Sequence, residues 1–421
     1  SSGGTWVLGG DFNKTSGTLS ITETDLKLTN NSKLTSDQAL NFETLNLNLY
    51  TLTLGSSDSD LTVQNAITIE QNNEGISTGD ADLILNESQN ISGQGSITST
   101  GGIISLQKGG ELFGSGKLDI SGSIWTLGGN FKKSNGSTLT MSGTNLVLDN
   151  NSTLTSNEAL SFDNLTLNDF TLTLGSETSD LTVENAITID NSTEGILTGL
   201  ADLSLGALTL SAGEVTSTGG IISLLGGGQL YGSGVLDVSG STWVLVGNFE
   251  KEGGTLTISN TDLALGGITT LTSDEALIFV ALNLNDYALT LGSSTSGLTV
   301  QNAITIDAIT EGIFTGEADL ILNRALTMSN GRLESTGGTI KFAHGEFQIS
   351  KFSGDARMML DNTILTSDDG SLIAFIEIDG EPDLSMTDSS QISNITLSIT
   401  SGTAGSISTA GGVDCLDNCT G

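Results

Sequence analysis

The chain contains one histidine, His344, the side chain best suited to general-base work near neutral pH. A nucleophilic serine or cysteine needs such a base within hydrogen-bonding reach. His344 lies at the position where the first of the repeats described below has Lys108, so the residue type at this position varies between repeats. Phosphate-binding loops, His-Glu-x-x-His and EF-hand patterns are missing. The sequence therefore predicts no catalytic residue and no enzymatic activity.

Carboxylates could still support hydrolysis or lyase cleavage of polysaccharides, which many parallel β-helices carry out. Such sites need clustered Asp or Glu beside basic side chains. The arginines are Arg324, Arg332 and Arg357. Acidic residues that recur in every repeat, such as Asp82, Asp202 and Asp319, indicate turns or a solvated face, because a catalytic site is normally unique in a chain. A polysaccharide lyase or hydrolase stays a remote alternative.

Metal-ligand patterns are equally sparse. Cys415 and Cys419 have a spacing that matches no zinc signature, and no histidine is near them. A disulfide, with each other or with a following Cys-rich module, is the favoured interpretation, and it indicates an oxidising, extracellular setting. Oxygen-rich turns can assemble calcium sites, although no Gly-Gly-x-Gly-x-Asp run occurs. We predict no metal-binding or cofactor-binding residue, with Ca²⁺ left open.

Charge excludes further classes of function. The 49 acidic and 13 basic residues give a formal net charge of −36. Nucleic-acid binding requires a cationic stripe, so it is excluded, and anionic membranes are disfavoured for the same reason. No stretch approaches the roughly 20 apolar residues that cross a bilayer. We therefore expect no nucleic-acid partner and no transmembrane segment.

The elements that must position any site come from an internal repeat. Trp-x-Leu-x-Gly-x-Phe blocks begin at Trp6, Trp125 and Trp243, at spacings of 119 and 118 residues. Asn-Ala-Ile-Thr-Ile occurs once in each copy, beginning at Asn65, Asn185 and Asn302. Agreement of this density over three copies predicts one architecture repeated three times.

Within each copy, apolar and polar residues alternate, as in Leu45-Asn46-Leu47-Asn48-Leu49 and Thr51-Leu52-Thr53-Leu54. Such alternation predicts strands with Leu, Ile and Val on one face. The strands are short, the copies abut without linkers, and proline is absent from them. We predict an all-β parallel β-solenoid, expected to be a right-handed β-helix. Each super-repeat of about 118 residues would contain about five turns of roughly 23 residues.

Five segments are predicted. Super-repeats occupy residues 1–124, 125–242 and 243–342, a degenerate repeat or cap 343–410, and the start of a Cys-containing tail or linker 411–421. The cap prediction depends on the missing fourth Trp block and on Pro382, the one proline. Terminal units of repeat proteins are typically atypical. The start of a different module is the alternative for 343–410.

Two tracts carry a family resemblance. Ser99-Thr100-Gly101-Gly102-Ile103-Ile104-Ser105-Leu106 and Gly114-Ser115-Gly116-Lys117-Leu118-Asp119-Ile120-Ser121-Gly122 resemble the degenerate repeats of bacterial β-helical surface proteins, namely filamentous-haemagglutinin-like and autotransporter-passenger adhesins. The resemblance covers nearly the whole chain through its rhythm and composition. It implies a secreted or cell-surface β-helix used for adhesion or as an extended stalk.

We therefore predict a non-catalytic extracellular structural or adhesive protein, a rod-like element of a surface fibre, filament or stalk. Its partners would be other copies of itself or neighbouring surface proteins. A module that binds glycans or another cell is the alternative. An ice-binding protein is a remote alternative, because ice binding requires an unbroken array of Thr-x-Thr pairs and these pairs are scattered. Phe279-Val280-Ala281-Leu282 breaks the alternation and is a candidate self-association face, although an inward bulge explains it equally well.

Overall fold

A computed structural model describes residues 3–343, 349–353, 355–376, 384–387, 389–400, 407–409 and 414–417. Short strands connected by turns make up all of this, and no helix occurs among those residues. Strands pair in parallel with partners one turn further along the chain, giving a β-solenoid of about 17 turns. The predicted all-β parallel β-solenoid is confirmed.

The strands are short and numerous. The first 28 are β1 (Thr5–Leu8), β2 (Phe12–Asn13), β3 (Asp25–Leu28), β4 (Ser32–Thr35), β5 (Leu40–Phe42), β6 (Leu45–Asn46), β7 (Thr51–Leu54), β8 (Leu61–Val63), β9 (Thr68–Ile69), β10 (Gly75–Gly79), β11 (Leu83–Leu85), β12 (Gln89–Ile91), β13 (Ser96–Ser99), β14 (Ile103–Leu106), β15 (Gly110–Leu112), β16 (Lys117–Asp119), β17 (Ile124–Leu127), β18 (Phe131–Lys133), β19 (Thr138–Thr140), β20 (Asn145–Leu148), β21 (Ser152–Thr155), β22 (Leu160–Phe162), β23 (Asn164–Thr166), β24 (Thr171–Leu174), β25 (Leu181–Ile189), β26 (Gly195–Gly199), β27 (Leu203–Leu210) and β28 (Glu214–Ser217). The remaining strands are β29 (Ile221–Leu224), β30 (Gly228–Asp237), β31 (Thr242–Leu245), β32 (Phe249–Thr257), β33 (Asp262–Leu265), β34 (Thr269–Ser273), β35 (Leu277–Phe279), β36 (Leu282–Asn283), β37 (Ala288–Leu291), β38 (Leu298–Val300), β39 (Ile304–Ile306), β40 (Gly312–Phe314), β41 (Leu320–Leu322), β42 (Leu326–Met328), β43 (Arg332–Ser335), β44 (Thr339–Phe342), β45 (Ile349–Phe352), β46 (Arg357–Leu360), β47 (Ile364–Ile376), β48 (Leu384–Met386), β49 (Gln391–Thr400), β50 (Ile407–Thr409) and β51 (Asp414–Asp417).

The chain divides into two compact units. The first comprises Ser1–Leu205 and Gly213–Thr216, and the second Gly206–Ala212 and Ser217–Gly421. In the first unit, one sheet has the order β2-β4-β7-β10-β13-β16-β19, and another has the order β5-β8-β11-β14-β17-β20-β23. From β4 onward, consecutive strands of these sheets are three apart in the chain, so each turn contributes three strands.

Turn length varies around the expected value of roughly 23 residues. Paired residues in the first unit are 19 residues apart at Asn145 and Asn164 and 24 apart at Thr51 and Gly75, and 21 is common, as between Ile103 and Ile124. At the common length of 21 residues per turn, a spacing of 119 residues is not a whole number of turns. As a result, Trp6 lies in the sheet of β1, β3 and β6, whereas its equivalent Trp125 lies in the sheet that contains β17.

The interior of the first unit is a stack of apolar side chains in register. Leu83, Ile104, Trp125, Leu146 and Leu165 pair in succession across five strands, and each is at most 7% exposed. In β24 the leucines are buried and the threonines are partly exposed. The predicted alternation is confirmed, because a strand places successive side chains on opposite faces of its sheet.

Aromatic residues fill this thin core. The rings of Trp125 and Phe131 meet edge to face with centroids 4.9 Å apart, and Trp243 and Phe249 repeat this arrangement at 4.8 Å. Trp125 also packs at 6.0 Å against Phe162. Core packing is therefore confirmed for these residues. Edge-to-face geometry favours the pair beyond its buried area.

The second unit has sheets with the orders β29-β31-β33-β36 and β35-β38-β41-β44-β47, among others. Its turns lengthen toward the C-terminus. Pairing spans 20 residues between Gly312 and Arg332 but 27 between Ile364 and Gln391. The described part of 343–410 thus continues the parallel ladder in longer turns, and the boundaries of the predicted cap stay a prediction. Over the residues with described structure, no helix is sufficiently long and apolar to cross a membrane.

Candidate functional site

Each super-repeat buries one lysine, which follows the first phenylalanine of the copy by two residues. The side chains of Lys14, Lys133 and Lys251 are 7%, 2% and 4% exposed. Alternation along the strand causes this. In β18, Phe131 faces inward, Lys132 outward and Lys133 inward again. A buried ammonium is unfavourable unless it has charged or hydrogen-bonding partners.

Those partners lie one turn further along the chain, in the repeated Leu-Thr-Ser-x-x-Ala-Leu block. Lys133 Nζ lies 3.0 Å from Asn157 Oδ1 and 2.9 Å from Glu158 Oε1. In the other copies, Lys14 contacts Asp37, and Lys251 contacts both Asp274 and Glu275. The block therefore supplies the partners of the buried lysine in every copy.

The electrostatics of the third copy keep its lysine charged. Burial by itself lowers the pKa of Lys251, but the carboxylates of Asp274 and Glu275 outweigh this effect and hold the pKa above its ordinary value. The sequence reasoning missed these lysines. A signal was present, since a lysine follows the first Phe of every copy by two residues.

A glutamate recurs in every copy, and its carboxylate accepts hydrogen bonds from three backbone N–H groups. Glu74 accepts hydrogen bonds from the backbone N–H groups of Glu70 and Gln71, both at 3.0 Å, and from that of Leu49 at 3.1 Å. Glu194 and Glu311 make the equivalent three contacts. The Leu49 bond joins adjacent turns at a point where Leu49 has a φ of 74°, a conformation that few non-glycine residues adopt.

The same contacts set the acidity of Glu74. Burial raises its pKa, yet the N–H donors of Gln71, Glu70 and Leu49 stabilise the carboxylate and hold the pKa below the ordinary value. These glutamates were also missed by sequence reasoning. Their recurrence in Asn-x-Glu-Gly and Thr-Glu-Gly contexts was the available signal.

The recurrent aspartates bind the backbone of neighbouring turns. Asp82 Oδ1 accepts a hydrogen bond from Ile103 N at 2.7 Å, and Asp319 Oδ1 accepts one from Thr339 N, also at 2.7 Å. Asp60, which is not conserved in the third copy, accepts one from Asp82 N at 2.9 Å. This geometry agrees with their interpretation as turn residues.

Other predicted positions have varied outcomes. His344 and Cys419 lie outside the described residues, and Cys415 is described only as part of the backbone of β51. Arg332 and Arg357 pair in adjacent turns, and Arg332 Nη1 lies 3.4 Å from Glu334 Oε1 at the surface. Within the described part of the chain, no group of three or more His, Cys, Asp or Glu side chains is arranged to hold a metal ion. The expectation of no cofactor and the Ca²⁺ alternative stay predictions.

An open groove occurs in the first unit where β19 ends its sheet and β22 pairs onward with β25. It encloses about 520 Å³. Its lining is Met141, Ser142, Gly143, Ser161, Asp163 and Glu184. Ser161 Oγ donates to Glu184 Oε1 at 3.3 Å, so polar groups converge on this space.

The second unit has a groove of about 580 Å³ at the equivalent place, where Ile278 and Val280 replace Ser161 and Asp163. This is the segment that broke the apolar–polar alternation. Phe279 is fully buried and Leu282 is 6% exposed, which agrees with the inward alternative for these two residues, whereas Ile278 is 52% exposed.

Known proteins offer no further guide to these sites. The chain matches no protein-family model, no curated protein and no solved structure.

Proposed function

We propose that this chain is a non-catalytic extracellular structural protein, an element of a surface fibre, filament or stalk. The proposal is based on one observation: the recurrent ionisable side chains are bound to backbone N–H groups or to one another. Glu74, Glu194 and Glu311 each bind three backbone N–H groups, and Lys251 is neutralised by two carboxylates. These groups serve to join turns.

The composition supports an exposed setting. A net charge of −36 favours solubility and keeps strongly acidic chains apart unless salt or divalent cations screen them. The resemblance to filamentous-haemagglutinin-like and autotransporter-passenger adhesins supports the same surface location. That resemblance implies a β-helix displayed at a surface and used for adhesion or as an extended stalk.

Localisation and morphology test this proposal. Antibodies against the chain would be applied to intact and to permeabilised cells of the producing organism, followed by negative-stain electron microscopy of gold-labelled intact cells. We expect equal labelling in both preparations, with gold along filaments or stalks. Labelling only after permeabilisation would contradict the extracellular assignment. Turnover of any polysaccharide in a substrate panel would contradict the non-catalytic one.

A glycan-binding module is the second candidate function, and the groove of the first unit favours it. Asp163, Glu184 and Ser161 present side-chain oxygens of the kind that accept hydrogen bonds from sugar hydroxyl groups. A glycan array would compare the native chain with the Asp163→Asn/Glu184→Gln variant. Glu177→Gln, an exposed change outside the groove, is the matched control. Binding that the double variant loses and the control retains would support this function over a purely structural role.

A further inference from the structure

The buried lysine of the second super-repeat differs from the other two in the chemistry that faces it. Lys133 Nζ lies 3.0 Å from the amide oxygen of Asn157 and 2.9 Å from a carboxylate oxygen of Glu158. Lys14 and Lys251 have an aspartate, Asp37 or Asp274, where Lys133 has Asn157. An amine, a carboxamide and a carboxylate thus meet at one point between two adjacent turns.

We propose that Lys133 and Asn157 join through a covalent amide bond, with Glu158 as the group that transfers the protons. This inference is independent of the proposed function, since it concerns a modification of the chain itself. The bond would link residues 24 positions apart, and therefore one turn to the next.

The geometry favours the reaction. The 3.0 Å contact between Lys133 Nζ and Asn157 Oδ1 holds the amine beside the amide group that it would attack, and the reaction requires a final approach of the nitrogen to about 3–3.5 Å from the carbon. The Nδ2 group of Asn157 donates a hydrogen bond to Asn135 Oδ1, which fixes the amide with its oxygen toward the lysine. The Lys133 side chain is only 2% exposed, so the folded protein already holds the amine in place and the reaction does not have to order it.

The atoms and charges balance without a co-reactant. Glu158 accepts a proton from the Lys133 ammonium, and the resulting amine attacks Cγ of Asn157. The C–N bond to Nζ forms, the C–Nδ2 bond breaks, and Nδ2 leaves as ammonia with the proton that Glu158 returns. The second proton that Nζ loses on becoming an amide nitrogen passes to Glu158 and from there to solvent. Asn157 lies at the surface, so ammonia passes directly into solvent, where it becomes ammonium.

The other two copies lack this combination. Lys251 faces two carboxylates, and they favour its protonated form, which is not a nucleophile. A carboxylate anion is also a poorer electrophile than a carboxamide. Lys14 faces Asp37, and the next residue is Gln38, where the second copy has Glu158. Both pairs therefore remain ionic and provide internal comparisons.

Mass spectrometry of the acid-denatured full chain tests the proposal, because denaturation separates ion pairs but not covalent bonds. The expected mass is lower than the sequence mass by one ammonia molecule. Trypsin should leave the bond after Lys133 uncleaved. Because no Lys or Arg occurs between Ser134 and Glu250, residues 133–251 should form one internally cross-linked peptide that lacks one ammonia molecule. Glu158→Gln retains both reacting residues and should restore the full mass, and Lys133→Met should do the same.

Two controls make the result specific. Lys132→Met changes the neighbouring exposed lysine, which pairs with Glu111, and should keep the mass deficit. Asn135-Gly136 could also lose ammonia by cyclising to a succinimide, but that loss would persist in Lys133→Met. A native chain of full mass, or a deficit that survives Lys133→Met, would overturn the proposal. Circular dichroism should verify that Glu158→Gln is folded. Its restored mass then shows that the bond needs the Glu158 carboxylate, and unfolding is excluded as the cause.

Discussion

Lys251 Nζ lies 3.0 Å from Oε1 of Glu275, although the lysine side chain is only 4% exposed and the two residues belong to different turns. The aliphatic stem fills core space, and the ammonium reaches the carboxylates at the surface. Because the same contact type recurs at Lys14 and Lys133, each super-repeat carries one ionic or polar link from its Trp-Phe block to the next turn.

Removing the partners of Lys251 should destabilise the second unit. In Asp274→Asn/Glu275→Gln the buried ammonium loses both of its charged partners, and we expect a loss of roughly 1–3 kcal/mol in the free energy of unfolding. Both carboxylates are about half exposed, so water offsets part of the effect. Hydrogen exchange of residues 249–275 would measure it. Lys251→Met should cost less, because it removes the charge together with its need for a partner; equal losses in both variants would contradict this account.

Alkaline conditions should affect the same pair. The pKa of Lys251 is raised in the folded protein, so its contribution to stability is complete below the ordinary lysine value and is lost as the pH rises through the higher folded value. We expect the stability difference between native chain and Lys251→Met to be constant near neutrality and to change only above the ordinary lysine range. Denaturant unfolding at a series of alkaline pH values would measure it. A change already at pH 8 would contradict the prediction.

Acid should weaken the turn that Glu74 holds. The pKa of Glu74 is lowered in the folded protein, so its contribution is present above the ordinary glutamate value, 4.5, and is lost as the pH falls through the folded value. Glu74→Gln should therefore lose about 1–2 kcal/mol at pH 7 and show a shallower acid dependence. Urea unfolding between pH 3 and about pH 7 would measure both. Glu70→Gln, which changes an exposed side chain, is the control and should match the native chain.

Truncating the central tryptophan should leave a cavity in the first unit. Trp125 is fully buried and packs against Phe131 and Phe162, so Trp125→Ala should cost about 3–5 kcal/mol. Trp125→Phe should cost less, because it keeps an aromatic ring at the site. Thermal and urea unfolding followed by circular dichroism would measure both. Ile124→Ser, at a neighbouring position that is 38% exposed, should change stability by less than about 1 kcal/mol.

Substitutions at two glycines should distinguish the cost of backbone strain from the cost of steric overlap between turns. Gly79 and Gly93 have φ values of 60° and 57°, but only a Cβ at Gly93 would overlap a neighbour, the carbonyl oxygen of Glu70. Gly79→Ala should cost about 1–2 kcal/mol from conformation alone, and Gly93→Ala distinctly more, because a backbone group must move. Urea unfolding compares them, and equal costs would contradict the close approach.

The sequence determined the fold class by itself. Alternation such as Thr51-Leu52-Thr53-Leu54 and the triplicated blocks require strands with one buried face, and residues next to one another in the chain suffice for that pattern. The roles of Asp82 and Asp319 in turns were also accessible, because recurrence favours architecture over a unique site.

Only the tertiary structure decided which polar groups meet. Lys133 and Asn157 are 24 residues apart, and they meet because one turn of the solenoid brings them together. Turn length also decided that Trp6 and Trp125 lie in different sheets, since 119 residues do not contain a whole number of turns. A local pattern states which face a residue occupies, but the number of residues in each turn sets which residue lies beside it. That number is fixed by packing and by hydrogen bonds between turns.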